Sequence, residues 1–367
     1  MDTDKIPGLV SVMMPAYNAE KYIQQAIDSL QASVYPHWEL IVVNDGSSDA
    51  TLEIAQGNAN PRISIISQAN GGESAARNTA LAHMRGEYVA FLDADDAYLP
   101  DHLELTVAYL EAHADLDGVY TDGYHCDSDG RLLKPLSSRR RGPFEGSLFE
   151  QLVRASDVFG PPLCLLLRRY PIIQRGLTYD TRIVIGPDWD FNTRFAEHAR
   201  FGYLDQKTCL YRVHQSNISL VTTQQKRLAS LALCREKAIM LRSFASCDVQ
   251  TRCYVFYDLL VELLSQRPER QEEIVQWPEF LALPSNERAR IFRLMATSMP
   301  VDRPNQSRVH KWLEASARLE PSDWRNQLLF HLHRLSPAVY RTVLRLRNLS
   351  RDRQLKDSPH GDVFTGI

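Results

Sequence analysis

Three carboxylates in four positions, Asp93, Asp95 and Asp96, close the apolar run Tyr88-Val-Ala-Phe-Leu92. Like charges this close repel unless a cation lies between them or water screens them. Paired carboxylates at the mouth of a buried strand suit a hard divalent ion that also grips phosphate oxygens. A solvated acidic turn ahead of the next helix fits the same residues. A second acidic pair, Asp188 and Asp190, flanks Trp189 and precedes a helically spaced run, Phe191–His198. Further on, Tyr211-Arg212-Val-His214 offers a guanidinium and an imidazole, although a lone histidine is usually a satisfied polar residue.

The elements that must position these groups alternate in type over the first hundred residues. Val10–Met14, Leu40–Val43, Ile63–Ile66 and Tyr88–Leu92 are apolar runs of strand length. Helical spacing follows the first over Ala19–Gln31, the second after Asp49 through Ala55, and the third over Glu73–Met84. Continuous rather than alternating apolar strands, each followed by a helix, predict an α/β fold with a mostly parallel sheet covered on both faces. Ligands of such sheets collect at the carboxyl ends of the strands. Four polar clusters fall there: Pro15-Ala16-Tyr17-Asn18, Asn44-Asp45-Gly46-Ser47-Ser48, Asn70-Gly71-Gly72 and the acidic trio.

Residues 101–220 read as mixed: a helix over His102–His113, a strand over Gly118–Cys126 turning at Asp127–Gly130, and a mobile polar loop over Ser137–Gly142. A buried segment is expected over Leu163–Leu167 and a short strand at Thr208–Leu210. From about Gln224 the texture becomes helical, with amphipathic stretches at Lys226–Phe244 and Arg252–Leu264. The expected division is residues 1–220 as one domain and 221–367 as a helical region. Its last part, Leu335–Lys356, carries Arg341, Arg345, Arg347, Arg351, Arg353 and Lys356 against Asp352 alone. Such a helix suits contact with an anionic membrane surface, or packs on the domain with a solvated arginine face.

The net charge of −3 does not mark the chain as a nucleic-acid binder. No apolar run reaches membrane-spanning length. Met1-Asp-Thr-Asp-Lys5 lacks the pattern of a signal peptide, and the six cysteines form no framework. The expectation is therefore a cytoplasmic protein, peripheral at the inner face of the membrane through its tail, with the Asn217, Asn305 and Asn348 triplets unglycosylated. Oligomeric state is not readable.

Six segments together resemble family 2 glycosyltransferases in family order. They are Val10–Asn18, Glu39–Ser47, Asn70–Asn78, Phe91–Asp96, Ile185–Phe191 and Tyr211–His214, and the resemblance covers roughly residues 8–220. It implies a GT-A fold and an inverting transferase that uses a nucleotide-sugar donor, most simply a UDP-sugar, and a divalent metal, Mg²⁺ or Mn²⁺. It also implies a glycan or lipid-linked acceptor. By this resemblance Pro15, Ala16 and Tyr17 line the nucleobase, with Tyr17 offering a stacking face. Asp45 accepts a base N–H, and Asn70 and Gly71 let the backbone approach. Arg77 reaches the base or diphosphate, and Ala94 fills a variable middle position. Asp95 coordinates the ion, Asp93 holds the ribose or a metal-bound water, and Asp96 is a reserve ligand. His214 completes the metal or diphosphate site as a C-terminal loop closes, and Arg212 holds the diphosphate. Asp188 is the general base with Asp190 as fallback, and Trp189 offers a sugar-stacking face. This chain has Pro187 where the family carries Glu.

Three other readings compete. A sugar-nucleotide pyrophosphorylase needs a Gly-rich, Lys-containing loop after the first strand, where this chain has Pro-Ala-Tyr-Asn. A phosphatase with an Asp-x-Asp nucleophile carries its acidic pair after the first strand rather than the fourth. A degenerate, glycan- or partner-binding module would not need Asp45, Asp93, Asp95 and Asp188 intact.

Overall fold

The computed structural model describes residues 5–215, 217, 221–264, 267–299 and 305–344. The chain forms two compact units, Met1–Leu241 and Arg242–Ile367. The first therefore runs past residue 220 and includes a helix, Gln224–Ile239, that the sequence assigned to the second.

In the first unit the strands are β1 (Ile6–Ala16), β2 (Trp38–Asn44), β3 (Ile63–Ser67), β4 (Gly86–Phe91), β5 (Ala97–Tyr98), β6 (Gly118–Cys126), β7 (Leu132–Pro135), β8 (Gly146–Ser147), β9 (Leu165–Arg168) and β10 (Arg200–Arg212). The helices are α1 (Ile23–Gln31), α2 (Thr51–Gly57), α3 (Glu73–His83), α4 (His102–Ala112), α5 (Phe149–Arg154), α6 (Arg169–Gln174), α7 (Pro187–Ala196) and α8 (Gln224–Ile239). One sheet runs in the order β3-β2-β1-β4-β9-β6-β10-β5, with β7 on β6 and β8 on β10. Strands β1 to β4 are parallel where they pair, as are β6 and β10, while β9 runs antiparallel to both neighbours.

Helices cover both faces, which is why the strands read as unbroken apolar runs. Val10, Val12 and Met14 of β1 pack with α1 and α4 through Ile23, Ile27, Leu103 and Leu110. Met13, between them, packs on the other face with Ala76 and Ala80 of α3 and Phe191 and Phe195 of α7. The register fixes the rim: Ala16 lies beside Asn44, and Met13 beside Phe91. The loops after β1, β2 and β4 therefore leave the sheet side by side.

Two expectations are corrected. Ser137–Gly142 is not a free loop. Ser137 donates its backbone N–H (2.9 Å) and hydroxyl (2.8 Å) to Asp122, and Arg140 pairs with the same carboxylate at 2.8 Å, almost wholly buried. The short strand at Thr208–Leu210 is the end of the long β10. Its register on β6 shifts around Lys207, and the polar Asp205-Gln206-Lys207 at that irregularity interrupts the apolar pattern that would have revealed it.

The second unit is helical, with Val249–Leu263, Ser285–Ser298, Gln306–Leu319 and Trp324–Leu335 as its longer elements. An aromatic series runs through its core: Phe256 on Phe280, Phe280 on Phe292, and Phe292 stacked on Trp312 with ring centres 5.2 Å apart. Of the basic tail, residues 337–344 are helical, with Tyr340 and Leu344 buried and Val339 and Val343 exposed. Arg345, Arg347, Arg351, Arg353 and Lys356 lie outside the described residues.

Candidate active site

The carboxyl-terminal rim of the sheet is built by loops that hydrogen-bond one another. Asn18, held at φ +48°, donates its N–H to Ser47 Oγ, and its side-chain oxygen accepts from Ser48 N–H at 2.9 Å. Pro15 and Ala16 complete β1 at this edge, with Ala16 buried and Tyr17 exposed beyond it. The buried Asp45 accepts from Gly71 N–H (2.9 Å), Gly72 N–H (2.8 Å) and Gln68 Nε2 (2.7 Å). It ties the β2 loop to the Asn70-Gly71-Gly72 loop. Gly46 sits at φ +72°, where a Cβ would meet the Asn70 backbone nitrogen at 2.9 Å, so two requirements demand glycine there.

Arg77 lies in α3, fully buried beneath the acidic loop. Its Nη2 pairs with Asp93 Oδ1 at 3.0 Å and with Glu73 Oε1, one helical turn away, at 2.8 Å. Tyr179 faces the guanidinium at 5.5 Å and stacks on Phe191 behind it. Arg77 Nε and Nη1 meet no acceptor among the described residues.

The acidic trio divides by environment. Asp95 Oδ2 is 2.8 Å from His214 Nε2, and the His214 ring lies on Tyr22 with centres 5.0 Å apart. Burial, then repulsion from Asp93, raises the Asp95 carboxyl. Asp96 turns inward and accepts the Arg212 backbone N–H at 2.8 Å. Its other oxygen has no partner among the described residues, and burial followed by Asp95 pushes its pKa well up. The Arg212 guanidinium is occupied by protein: the Asp95 carbonyl at 2.8 Å, the carbonyls of Asp127 and Ser128, and Gln25 Oε1. It closes the base of the loop rather than projecting from it. Ala94 is buried in the core.

The second acidic pair divides as sharply. Gly186 at φ +75° turns the chain into α7, Pro187 occupies its first turn, and Asp188 follows. Burial raises the Asp188 carboxyl, Arg77 opposes that, and Asp93 adds to it, so Asp188 belongs electrostatically to the rim. Asp190 points elsewhere, bound by Arg194 Nη2 at 2.6 Å and Lys237 Nζ of α8 at 2.8 Å. Trp189 corrects the sequence reading: it is buried, donating Nε1–H to the Leu152 carbonyl at 2.6 Å, and offers no face to a sugar.

Two participants carried no assigned role in the sequence. Glu73 shares Arg77 and is raised to about 7 by burial, with Arg77 opposing and Asp93, Asp188 and Asp95 contributing. Its signal was present as an i,i+4 acid–arginine pair at the start of a helix. Tyr179 had no signal, since its place depends on a loop returning to α3, where Asn78 bonds its backbone in both directions.

A doubly covered sheet with its polar loops and acidic cluster on one carboxyl-terminal rim defines a protein of the GT-A fold class. Residues 11–176 match the family described as Glycosyl transferase family 2, and this stretch is a family 2 domain. The chain is 34% identical over 217 residues to the uncharacterized glycosyltransferase EpsJ of Bacillus subtilis, covering 58% of this chain and 63% of that protein. It is 34% identical over 235 residues to the chondroitin synthase of Pasteurella multocida, covering 60% and 22%. It thus spans less than two thirds of the length of either relative. The S. aureus TarS 1-349 structure in complex with UDP-GlcNAc shares the fold at a TM-score of 0.56 and 19% identity, covering 93% of this chain and 92% of that one.

Proposed function

We propose that this chain is an inverting glycosyltransferase that moves a sugar from a UDP-sugar to a hydroxyl of a glycan or lipid-linked acceptor. The observation that carries the reading is the convergence of Asp188 with Asp93 and Arg77. Arg77 of α3 pairs with Glu73 at 2.8 Å and with Asp93 of the strand-end loop at 3.0 Å, and the Asp188 carboxyl, from a segment about ninety-five residues later, responds to both Arg77 and Asp93.

Arg77 then fixes Asp93 and Glu73 through Nη2 and lends its positive charge to the donor diphosphate from beneath the rim. The loops stapled by Asp45 form the nucleobase floor, with Tyr17 exposed beside it. In this reading Asp45 acts through the Gly71 and Gly72 backbone rather than by meeting the base alone. Asp95 Oδ2 and His214 Nε2 would hold Mg²⁺ or Mn²⁺. In this structure the two atoms hydrogen-bond at 2.8 Å, and among the described residues they belong to no group of three or more acids, histidines or cysteines placed to hold an ion. An oxygen–nitrogen donor set with repelling carboxylates suits such an ion. When bound, the ion neutralises charge on the departing diphosphate.

Asp188 accepts the proton of the acceptor hydroxyl as that oxygen bonds to the anomeric carbon and the bond to the diphosphate breaks. The raised pKa makes Asp188 a better proton acceptor than an ordinary aspartate. Asp190, held by two cations, is not the base in this reading, and Arg212 positions the Asp95 loop instead of binding diphosphate.

The test is UDP release across a panel of UDP-sugars with acceptor oligosaccharides, products read by mass. No release with any donor, together with retained glycan binding, would favour a binding module. Replacing Asp95 by alanine should abolish the metal-dependent part of UDP binding with the fold intact. Unchanged calorimetric affinity for Mn²⁺–UDP in Asp95→Ala would remove Asp95 from the ion.

A further inference from the structure

We propose that the second unit docks on an anionic lipid surface through one ridge of the helix Trp324–Leu335. At about 100° per residue, Trp324, Leu328 and Leu335 fall within an arc of about 40°. All three are exposed, Trp324 at 65% and Leu335 at 83%. The opposite side is the packed one, with Asn326, Leu329 and His333 buried. A large apolar side chain projecting this far is unusual in a protein surface element, and three in line form a patch with a purpose. Immediately beyond it, Val339 and Val343 are exposed as well.

The charge pattern selects the occupant. From Trp324 to Leu344 the described residues carry three arginines, at 325, 334 and 341, and no aspartate or glutamate, while Asp323, which caps the helix, is paired with Arg293. Arg325 and Arg334 flank the ridge on opposite sides of the helix. An apolar ridge bordered by arginines and carrying a tryptophan is the pattern of a helix lying in a membrane interface, with rings and leucines in the acyl boundary and cations among lipid phosphates. Among the described residues no helix is long and apolar enough to cross a membrane, so the contact is a surface one. A second copy of the chain is the weaker occupant. A two-fold contact would set this patch against itself and oppose arginine to arginine with no acid between them.

This inference stands apart from the transferase reading, because it uses none of the rim residues. The test is flotation of the full chain with phosphatidylcholine vesicles and with vesicles also containing phosphatidylglycerol. Donor hydrolysis and sedimentation velocity are followed in the same samples. Wild-type protein is expected to float only with the anionic vesicles. Trp324→Ala/Leu328→Ser/Leu335→Ser should lose at least about 100-fold in partitioning, and Arg325→Gln/Arg334→Gln about tenfold, both with unchanged donor hydrolysis. No flotation of wild type, equal flotation with neutral vesicles, or wild-type flotation of the ridge variant would each overturn the proposal. So would a ridge variant that becomes a smaller species while still floating, since the ridge would then join copies of the chain.

Discussion

Two acidic clusters in the first unit are built on opposite electrostatic plans. On the rim, Glu73, Asp93 and Asp188 share one buried guanidinium, Arg77, while Asp95 meets the His214 ring and Asp96 accepts the Arg212 backbone N–H. Beside it, Asp180 and Asp190 are matched by Arg182, Arg194 and Lys237, with Lys237 bridging both carboxylates at 3.0 and 2.8 Å. The consequences run in opposite directions. Glu73, Asp95, Asp96 and Asp188 are pushed up by burial, whereas the Arg182 hydrogen bond holds Asp180 well below the usual carboxylate range despite partial burial. A fold can neutralise its acids with its own cations, as the second cluster shows. Where it does not, the raised carboxyls mark a candidate functional site. Asp188 and Asp190, two positions apart, fall on either side of that division.

The largest effect expected from this contrast is at the rim. Asp188→Asn should lower turnover by about 10²–10⁴-fold, the usual range for a lost general base, with donor affinity near wild type by calorimetry. Wild-type turnover would place the base elsewhere. The matched cluster should respond in stability instead. Lys237→Met removes one cation from Asp180 and Asp190 while Arg182 and Arg194 remain. A loss of about 1–3 kcal/mol in denaturant unfolding is expected, the scale of a hydrogen bond to a charged group. Lys237→Arg should restore most of it.

The pattern of strands and the ends where ligands collect were legible because both depend on local sequence. Val10, Val12 and Met14 face one layer and Met13 the other, and an unbroken apolar run is what a doubly covered strand must look like. The acidic trio and the Asp188 segment were visible through ordered motifs. What stayed hidden was partnership. Nothing near Arg212 in sequence says that its guanidinium closes on the Asp95 carbonyl, or that Lys237 reaches Asp190 from α8. Trp189 looked like a sugar platform because an aromatic beside a catalytic-type acid is ambiguous until its neighbours are known. Its N–H bond to Leu152 is a contact between distant segments. The expected mobile loop at Ser137–Gly142 failed for the same reason, since its polarity is satisfied by the buried Asp122 rather than by water.

The two clusters should also separate by pH. A raised carboxyl binds its proton in the folded state where the unfolded chain has released it. Asp188 therefore costs stability as pH rises from the ordinary value of 3.8 through its raised value. Asp180, lowered, contributes stability above 3.8 that is lost as pH falls through its depressed value. Thermal midpoints measured against pH should lose the first component in Asp188→Asn and the second in Asp180→Asn. Turnover should climb as Asp188 ionises, so its acid limb lies above the range of an ordinary aspartate. A limb at the ordinary aspartate value would detach Asp188 from the rim.

The smallest effect tests whether the matched cluster positions the unmatched one. Ser230 of α8 is buried, and its hydroxyl accepts the backbone N–H groups of Val184 at 3.1 Å and Ile185 at 3.3 Å. Those residues lead directly into Gly186 and then Asp188, so α8 grips the loop of the proposed base as well as Asp190 through Lys237. Ser230→Ala removes one acceptor shared by two donors. Val184 is partly exposed and water can replace part of the loss, so the cost should be about 1 kcal/mol, or roughly 2–4 °C in thermal midpoint for a unit of this size. If the loop carries the base, turnover should fall by up to about fivefold at unchanged donor affinity, because that is what about 1 kcal/mol of misplacement yields. A lower midpoint with unchanged turnover would confine α8 to stability. A fall in turnover that mirrors a weaker donor affinity would instead tie the loop to the nucleotide side of the site.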